Sequence, residues 1–266
     1  VMGIAGAALA TTLSRLVEVV LLFIVVYRKH SHLAIRDREA FLWPRSFILH
    51  VVPTVLPVLL NEIAWALGMT TYKIAYSRIG IDAIAAINVA ESVGNLFFVA
   101  LLGLSNATLI MIGIKIGEHD YPLARKWSRR FVLVAVTVGA VMGGFELLFA
   151  PFFAGMFNIS PELQATAVRL LMIHALTLPA RAFNITVIVG VLRAGGDTRF
   201  SMLAEMFGVW AIGVPLAFIG VYLFNLSVVP LYFLVSMEEI SKMLIGLGRL
   251  KSGKWLNDLT VHAHDV

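Results

Sequence analysis

The chain contains no cysteine, which removes disulfide scaffolds, thiol catalysis and cysteine-ligated metal centres. Charged residues make up only 14% of its 266 residues, against about 25% in soluble domains. No basic segment precedes the first apolar run, so no signal peptide is expected. Polar–apolar alternation is missing as well, which argues against a β-barrel. What is present in excess is apolar: 59% of the residues are hydrophobic. A soluble fold of this size cannot hide so much apolar side chain, because its surface still faces water. These absences exclude an ordinary cytosolic enzyme, a disordered chain and a nucleic-acid-binding module. The class that remains is an all-α, polytopic helical membrane protein.

A membrane-crossing helix needs roughly 20 apolar residues. Seven stretches qualify, near 3–27, 46–70, 82–114, 129–153, 161–191, 198–223 and 227–248. Basic residues crowd alternate connections: Arg28, Lys29, Arg36, Arg38 and Arg45; then Lys115, Arg125, Lys126, Arg129 and Arg130; then Arg193 and Arg199; then Lys242, Arg249, Lys251 and Lys254. The intervening turns hold only Lys73 and Arg78. The positive-inside rule therefore places the C-terminus in the cytoplasm and Val1 outside. Only the connection at 28–45 is long, and its Phe41, Leu42 and Trp43 suit an interfacial segment. It marks the boundary between two helix bundles. Val1 is not an initiator Met, and no loop precedes the first span, so a longer parent protein is expected.

Several stretches point the same way: GIAGAALATTLSRLVE (3–18), NEIAWALGMTTYKIAYSRIGIDAIAAINVAESVGNLFFVALLGLSNA (61–107), GIKIGEHDYPLARKWSRR (113–130), GVLRAGGDTRF (190–200) and SGKW (252–255). In this order and spacing they resemble the multidrug and toxic compound extrusion (MATE) family of cation-coupled antiporters. The resemblance implies half of a twelve-helix, two-lobe transporter with seven transmembrane helices present. Residues 1–27 would be the last helix of the N-terminal lobe and 28–45 the cytoplasmic inter-lobe loop; 46–250 would be the C-terminal six-helix lobe and 251–266 a cytoplasmic tail. It further implies export of small organic compounds by alternating access in a cell membrane, that of a bacterial inner membrane being expected. H⁺ or Na⁺ would be the coupling ion, with no other cofactor. The partners implied are membrane lipid and the missing N-terminal lobe, and no nucleic acid. A flippase for lipid-linked oligosaccharides or other polar lipids, of related architecture, is the alternative. An intramembrane enzyme is not expected, since no span carries HExxH and no Asp lies deep in any span.

Ionisable groups in spans cost roughly 2.5–3.5 kcal/mol each and so are functional candidates. Glu62 leads. It follows Pro53, Pro57 and Asn61, and a proline should bend the helix and free carbonyls beside the carboxylate. Such a group can exchange a proton, or hold Na⁺ with carbonyl and amide oxygens such as that of Asn61. The resemblance assigns an acidic residue at this place a part in cation coupling. Asn88, Glu91, Ser92 and Asn95 share one helix face by spacing, lining either a cavity or a helix contact. Arg181 and Asn184 are i, i+3; the arginine needs a partner, with Glu62 or Glu91 in view. Some members of the family carry an Asp eleven residues before the Arg of the LRAGGDTR-like loop. Here that position is Ala182, which puts a two-carboxylate Na⁺ site of that type in doubt.

The remaining groups read as structural. Arg15 and Glu18 should neutralise each other, as should Glu238 and Lys242, and Glu205 should reach an arginine. Glu146 should snorkel, and His174 should be a hydrogen-bonded core residue, with a proton relay as the other reading. The AGGD text reads as a glycine turn, not a phosphate loop. Gly139 and Gly143 read as a close helix contact, and His262 and His264 are too few for a metal site.

Overall fold

The computed structural model describes residues 3–28 and 45–257. The expected interfacial segment around Trp43, the basic inter-lobe loop and the histidines at 262 and 264 lie outside the described residues. The described residues are almost entirely helical: α1 (Gly3–Arg28), α2 (Arg45–Ser77), α3 (Ile81–Gly117), α4 (Tyr121–Gly155), α5 (Pro161–Ile185), α6 (Thr198–Met206), α7 (Val214–Tyr222) and α8 (Val228–Ser252). α5 continues through a π segment, Thr186–Leu192, and a second π segment, Phe207–Gly213, joins α6 to α7. Among the described residues six helical rods are long and apolar enough to cross a membrane: Leu9–Arg28, Val51–Ser77, Ile81–Gly117, Tyr121–Gly155, Pro161–Leu192 and Thr198–Tyr222. The stretch expected at 227–248 is a continuous helix of 25 residues. Its length suffices to span, but Glu238, Glu239 and Lys242 lower its hydropathy.

The helix ends follow local chemistry. Asp120 caps α4 by accepting the Leu123 amide at 3.1 Å, with Pro122 in the first turn. Ser160 caps α5 by accepting the Leu163 amide at 3.3 Å, ahead of Pro161. Each cap satisfies an amide that has no partner within the helix, and proline fits where no amide is needed. α4 thus starts at Tyr121 and takes in Arg125, Lys126, Arg129 and Arg130, which the sequence had suggested for a loop. α2 likewise runs on to Ser77, unbroken through Pro53 and Pro57. Gly253 ends α8 in the left-handed region, φ 67°, which glycine adopts without strain.

The chain divides into two compact units between His50 and Val51. In the first, α1 buries none of its span. Its Arg15 Nη1 donates to Glu18 Oε2 at 2.7 Å, as the spacing suggested. In the second unit α5 is the central helix, with 72% of its span buried, against 22–28% for the other spans of that unit. Gly139 and Gly143 of α4 pack directly on it. A Cβ at Gly139 would come within 2.6 Å of Ala182 Cβ, and one at Gly143 would overlap Ala175 O. Ile87, Leu101, Leu170, Leu171, Leu178 and Leu231 fill the main core. Ile112, Val187, Leu192 and Trp255 fill a second. Leu96, Val99, Leu133, Val141 and Leu148 remain on the outside, as a helix bundle in lipid allows.

Proline explains the second π segment. Pro215 has no amide to donate four residues back, so the Val214 amide bonds instead to Val209 O, five residues back. Hydroxyls take up carbonyls around the first π segment: Ser105 Oγ donates to Ile185 O at 2.8 Å, and Ser201 Oγ to Ile188 O at 3.0 Å.

Candidate functional site

Glu62 lies on α2 with its side chain 57% exposed. Its Oε1 accepts from Arg193 Nη2 at 2.8 Å. Arg193 belongs to the GVLRAGGDTRF segment, so that motif and the leading carboxylate meet in space. Asn61, one residue earlier, is buried instead, and its Oδ1 has no hydrogen-bond partner. A rotation of 100° per residue separates the two, so one turns outward and the other inward. Lys73 is eleven residues after Glu62, about three turns on, and shares its face. Lys73 Nζ pairs with Glu91 Oε2 at 3.0 Å, and both side chains are about half exposed.

Asn88, Ser92 and Asn95 are exposed beside the partly buried Glu91. Within this unit Asn88, Ser92 and Asn95 therefore face outward, while Glu91 reaches α2 through Lys73. Ser92 Oγ donates to Asn88 O at 2.7 Å, an ordinary intrahelical bond. Exposed carboxylates and amides within a span are poorly tolerated by lipid tails. Water or another protein surface suits them better.

Arg181 does not pair with Glu62 or Glu91. Its Nε lies 3.4 Å from Glu239 Oε1, an ion pair without hydrogen-bond geometry. The reason is tertiary: α8 packs on α5 and brings Glu239 to it, whereas Glu62 is taken by Arg193. Asn184 joins the same carboxylate. Its Nδ2 donates to Glu239 Oε2 at 2.7 Å and to the Glu239 carbonyl at 2.8 Å. Glu239 sits beside Lys242, whose Nζ lies 3.4 Å from Glu239 Oε2, 3.4 Å from Glu238 Oε1 and 3.2 Å from Glu205 Oε1. Glu205 thus meets a lysine, not the arginine that its place in the span suggested. Glu238 Oε2 accepts a short hydrogen bond from the Tyr72 hydroxyl of α2. Two glycines of the second π segment make room for this network. A Cβ at Gly208 would overlap the Lys242 stem, and one at Gly213 would overlap Tyr72 Oη and Glu238 Oε2.

Spacing alone showed Glu238 and Lys242 as one more i, i+4 pair. The signal that raises them is the run of two acids and a lysine inside one span. Glu146 also departs from expectation. It does not snorkel but is fully buried, and both its oxygens lie 2.8–2.9 Å from His174 Nδ1. α4 and α5 approach closely there because of Gly139 and Gly143, which leaves no route for the carboxylate to the surface. His174 is the buried, hydrogen-bonded residue that its position suggested.

The remaining motifs meet at one end of the unit. Asp197 accepts from Arg249 Nε and Nη2 at 2.6 and 3.0 Å, and the Arg249 guanidinium lies over Phe200, 4.5 Å from the ring centroid. Trp255 packs on Gly195, where any Cβ would overlap it, and the Asn257 amide donates to Gly195 O at 2.9 Å. Gly196 adopts φ 71°, so the AGGD stretch is a glycine turn. SGKW and LRAGGDTR are thus two halves of one clamp.

Comparison with known proteins bears on the family and the fold. The MatE family model matches residues 57–219. The uncharacterized transporter YisQ of Bacillus subtilis (strain 168) is 26% identical over 262 residues, 96% of this chain and 56% of its own length. The probable multidrug resistance protein NorM of Brucella suis biovar 1 (strain 1330) is 30% identical over 242 residues, 87% of this chain and 50% of its own. The chain spans about half the length of the curated relatives it matches. In fold it is similar to a crystal structure of MATE in complex with MaL6, with a TM-score of 0.80 at 20% identity over 95% of this chain and 58% of that one. It is also similar to an outward-facing multidrug resistance MATE family transporter, with a TM-score of 0.76 at 22% identity over 95% of this chain and 57% of that one. The helical spans, the clamp of LRAGGDTR on SGKW and the match over most of the chain converge: this integral membrane protein belongs to the MatE family.

Proposed function

We propose that this chain forms part of a cation-coupled antiporter that exports small organic compounds by alternating access and performs no enzymatic reaction. The observation that carries the reading is the exposed face of α2 and α3. Glu62 and Glu91 lie there, each held by an opposite charge, beside Asn88 and Asn95. Such a surface suits a water-filled cleft between lobes better than lipid. The relatives named for multidrug resistance support the same class of substrate.

Glu62 is the coupling residue in this reading. Bound to Arg193 it is neutralised; an arriving H⁺ or Na⁺ competes with the guanidinium. Release of Arg193 would then loosen α2 from the turn after α5, and this biases lobe closure. Na⁺ on the free Oε2 of Glu62 would stand beside the Arg193 guanidinium held on Oε1, so the two cations repel and compete for one carboxylate charge. Asn61 lies beside Glu62 in sequence with a free amide oxygen turned inward, whereas Arg181 and Asn184 are bound to Glu239. The charge bias of the connections supports a cytoplasmic C-terminus, and the bacterial relatives support a bacterial inner membrane.

The test is gradient-driven efflux from proteoliposomes containing the full-length transporter of which this chain forms part. Glu62→Gln is expected to lower the coupled rate about tenfold, within the 5–150-fold that coupling free energies of about 1–3 kcal/mol correspond to. Efflux at the wild-type rate would overturn the assignment.

A further inference from the structure

The second unit holds a cluster of charge apart from Glu62. Three carboxylates (Glu205, Glu238 and Glu239) meet two cations, Lys242 and Arg181. With every carboxylate ionised, one negative charge has no counterpart. An uncompensated charge in so apolar a place is strongly disfavoured, and a proton on one carboxylate removes it.

The contacts distinguish the three acids. Glu239 is held by both cations and by Asn184. Glu205 faces Lys242 and is the most exposed of the three. Glu238 is the least exposed, meets Lys242 only at 3.4 Å and gives its other oxygen to Tyr72. A second observation points to a missing ligand. Asn184 is 4% exposed and is turned onto the cluster by its Nδ2 bonds to Glu239, yet its Oδ1 has no partner. The cluster can therefore take up another hydrogen-bond donor. A metal ion would need a shell of oxygens beside two fixed cations, whereas a proton needs one lone pair.

We propose that Glu238 is the binding site for one exchangeable proton, and that Tyr72 transmits its occupancy to α2 and to the second π segment. The inference rests on reading the chain as part of a coupled transporter, but it concerns different residues from Glu62. In the ionised state the Tyr72 hydroxyl donates to Glu238 Oε2. When a proton from water bonds to Oε2, Glu238 becomes the donor and Tyr72 Oη the acceptor. The tyrosine hydrogen then turns to Val209 O, 3.4 Å away. The O–H bond that breaks belongs to the hydronium ion, which leaves as water, while Tyr72 keeps its own hydrogen; the charge of the cluster rises by one. Val209 O already accepts the Val214 amide across the π turn, so the added bond competes with the one that defines that turn. The groups facing Glu238 are Tyr72 and Tyr76 from α2, Arg181 from α5, Glu205 from α6, and Glu239 and Lys242 from α8.

The test is infrared titration of the lipid-reconstituted protein without Na⁺, following the C=O stretch of a protonated carboxyl group. The expected result is a reversible band in the wild type, lost in Glu238→Gln and kept in Glu62→Gln. Tyr72→Phe, which removes one oxygen from a folded side chain, is expected to keep the band and move its midpoint by about one pH unit. A full band in Glu238→Gln, an unmoved midpoint in Tyr72→Phe, or removal of the band by Na⁺ at constant pH would each overturn the proposal. Unaltered efflux in Glu62→Gln would instead count against the Glu62 reading and leave the Glu238 band in place.

Discussion

At the residue scale, Glu238 and Glu239 are neighbours in sequence with opposite consequences when neutralised. Glu239 is the shared partner of Arg181, Lys242 and Asn184. Glu239→Gln leaves Arg181 without a carboxylate, and removing one partner of a buried ion pair costs about 3–5 kcal/mol. A clearly lower melting temperature in detergent is expected, read by tryptophan fluorescence. Glu238→Gln leaves two carboxylates facing two cations, so its melting temperature should stay near that of the wild type. Equal losses in both variants would contradict the charge balance drawn from the geometry. Part of this was legible beforehand. Glu62 stood out as an acid after two prolines, and Arg15 with Glu18 as a self-neutralising pair. The partners of Arg181, Glu205 and Glu146 were not legible, because each lies on another helix and spacing reports only contacts within one.

At the element scale, glycines decide which helices can touch. α4 and α5 meet through Gly139 and Gly143, where a side chain would overlap backbone or Ala182. Gly143→Leu should force the helices apart and lower the yield of monodisperse protein on size-exclusion chromatography. The same change at Gly144, where a Cβ would meet nothing within 4 Å, should be tolerated. The small-residue spacing announced this contact. The π segments were not announced, although Pro215 supplies a physical cause for the second. Periodicity reads a helix as uniform, and a single i→i+5 turn shifts the face of everything beyond it. Gly208 and Gly213 show the use of that shift, since they open the space that Lys242, Tyr72 and Glu238 occupy.

At the scale of the whole molecule, the absence of cysteine makes topology easy to measure. Cysteines placed one at a time can be labelled without background. His119→Cys, in the turn between α3 and α4, is expected to react with a membrane-impermeant maleimide only in inside-out vesicles. Asn225→Cys, in the turn before α8, should react only in right-side-out vesicles. Labelling of both from one side would refute the orientation inferred from charge. The clamp of Trp255 on Gly195 is a second feature at this scale. Trp255→Ala should free the 193–197 turn and weaken the hold of Arg193 on Glu62. Faster proteolysis after Arg199 would report the loosening.

The sequence by itself determined the membrane class, where most of the spans lie and the family, and it carries the charge bias from which the chain's direction is inferred. These follow from hydropathy, charge segregation and ordered motifs, all of which act locally along the chain. Tertiary structure decided which charges meet. It turned Asn61 inward and Glu62 outward from adjacent positions, gave Glu62 to Arg193, and buried Glu146 against His174. It also gathered Glu205, Glu238, Glu239, Lys242 and Arg181 from three helices into one cluster. The physical reason is that an ion pair between helices depends on rotation and crossing, which are set by packing at glycines and π turns far from the charges themselves.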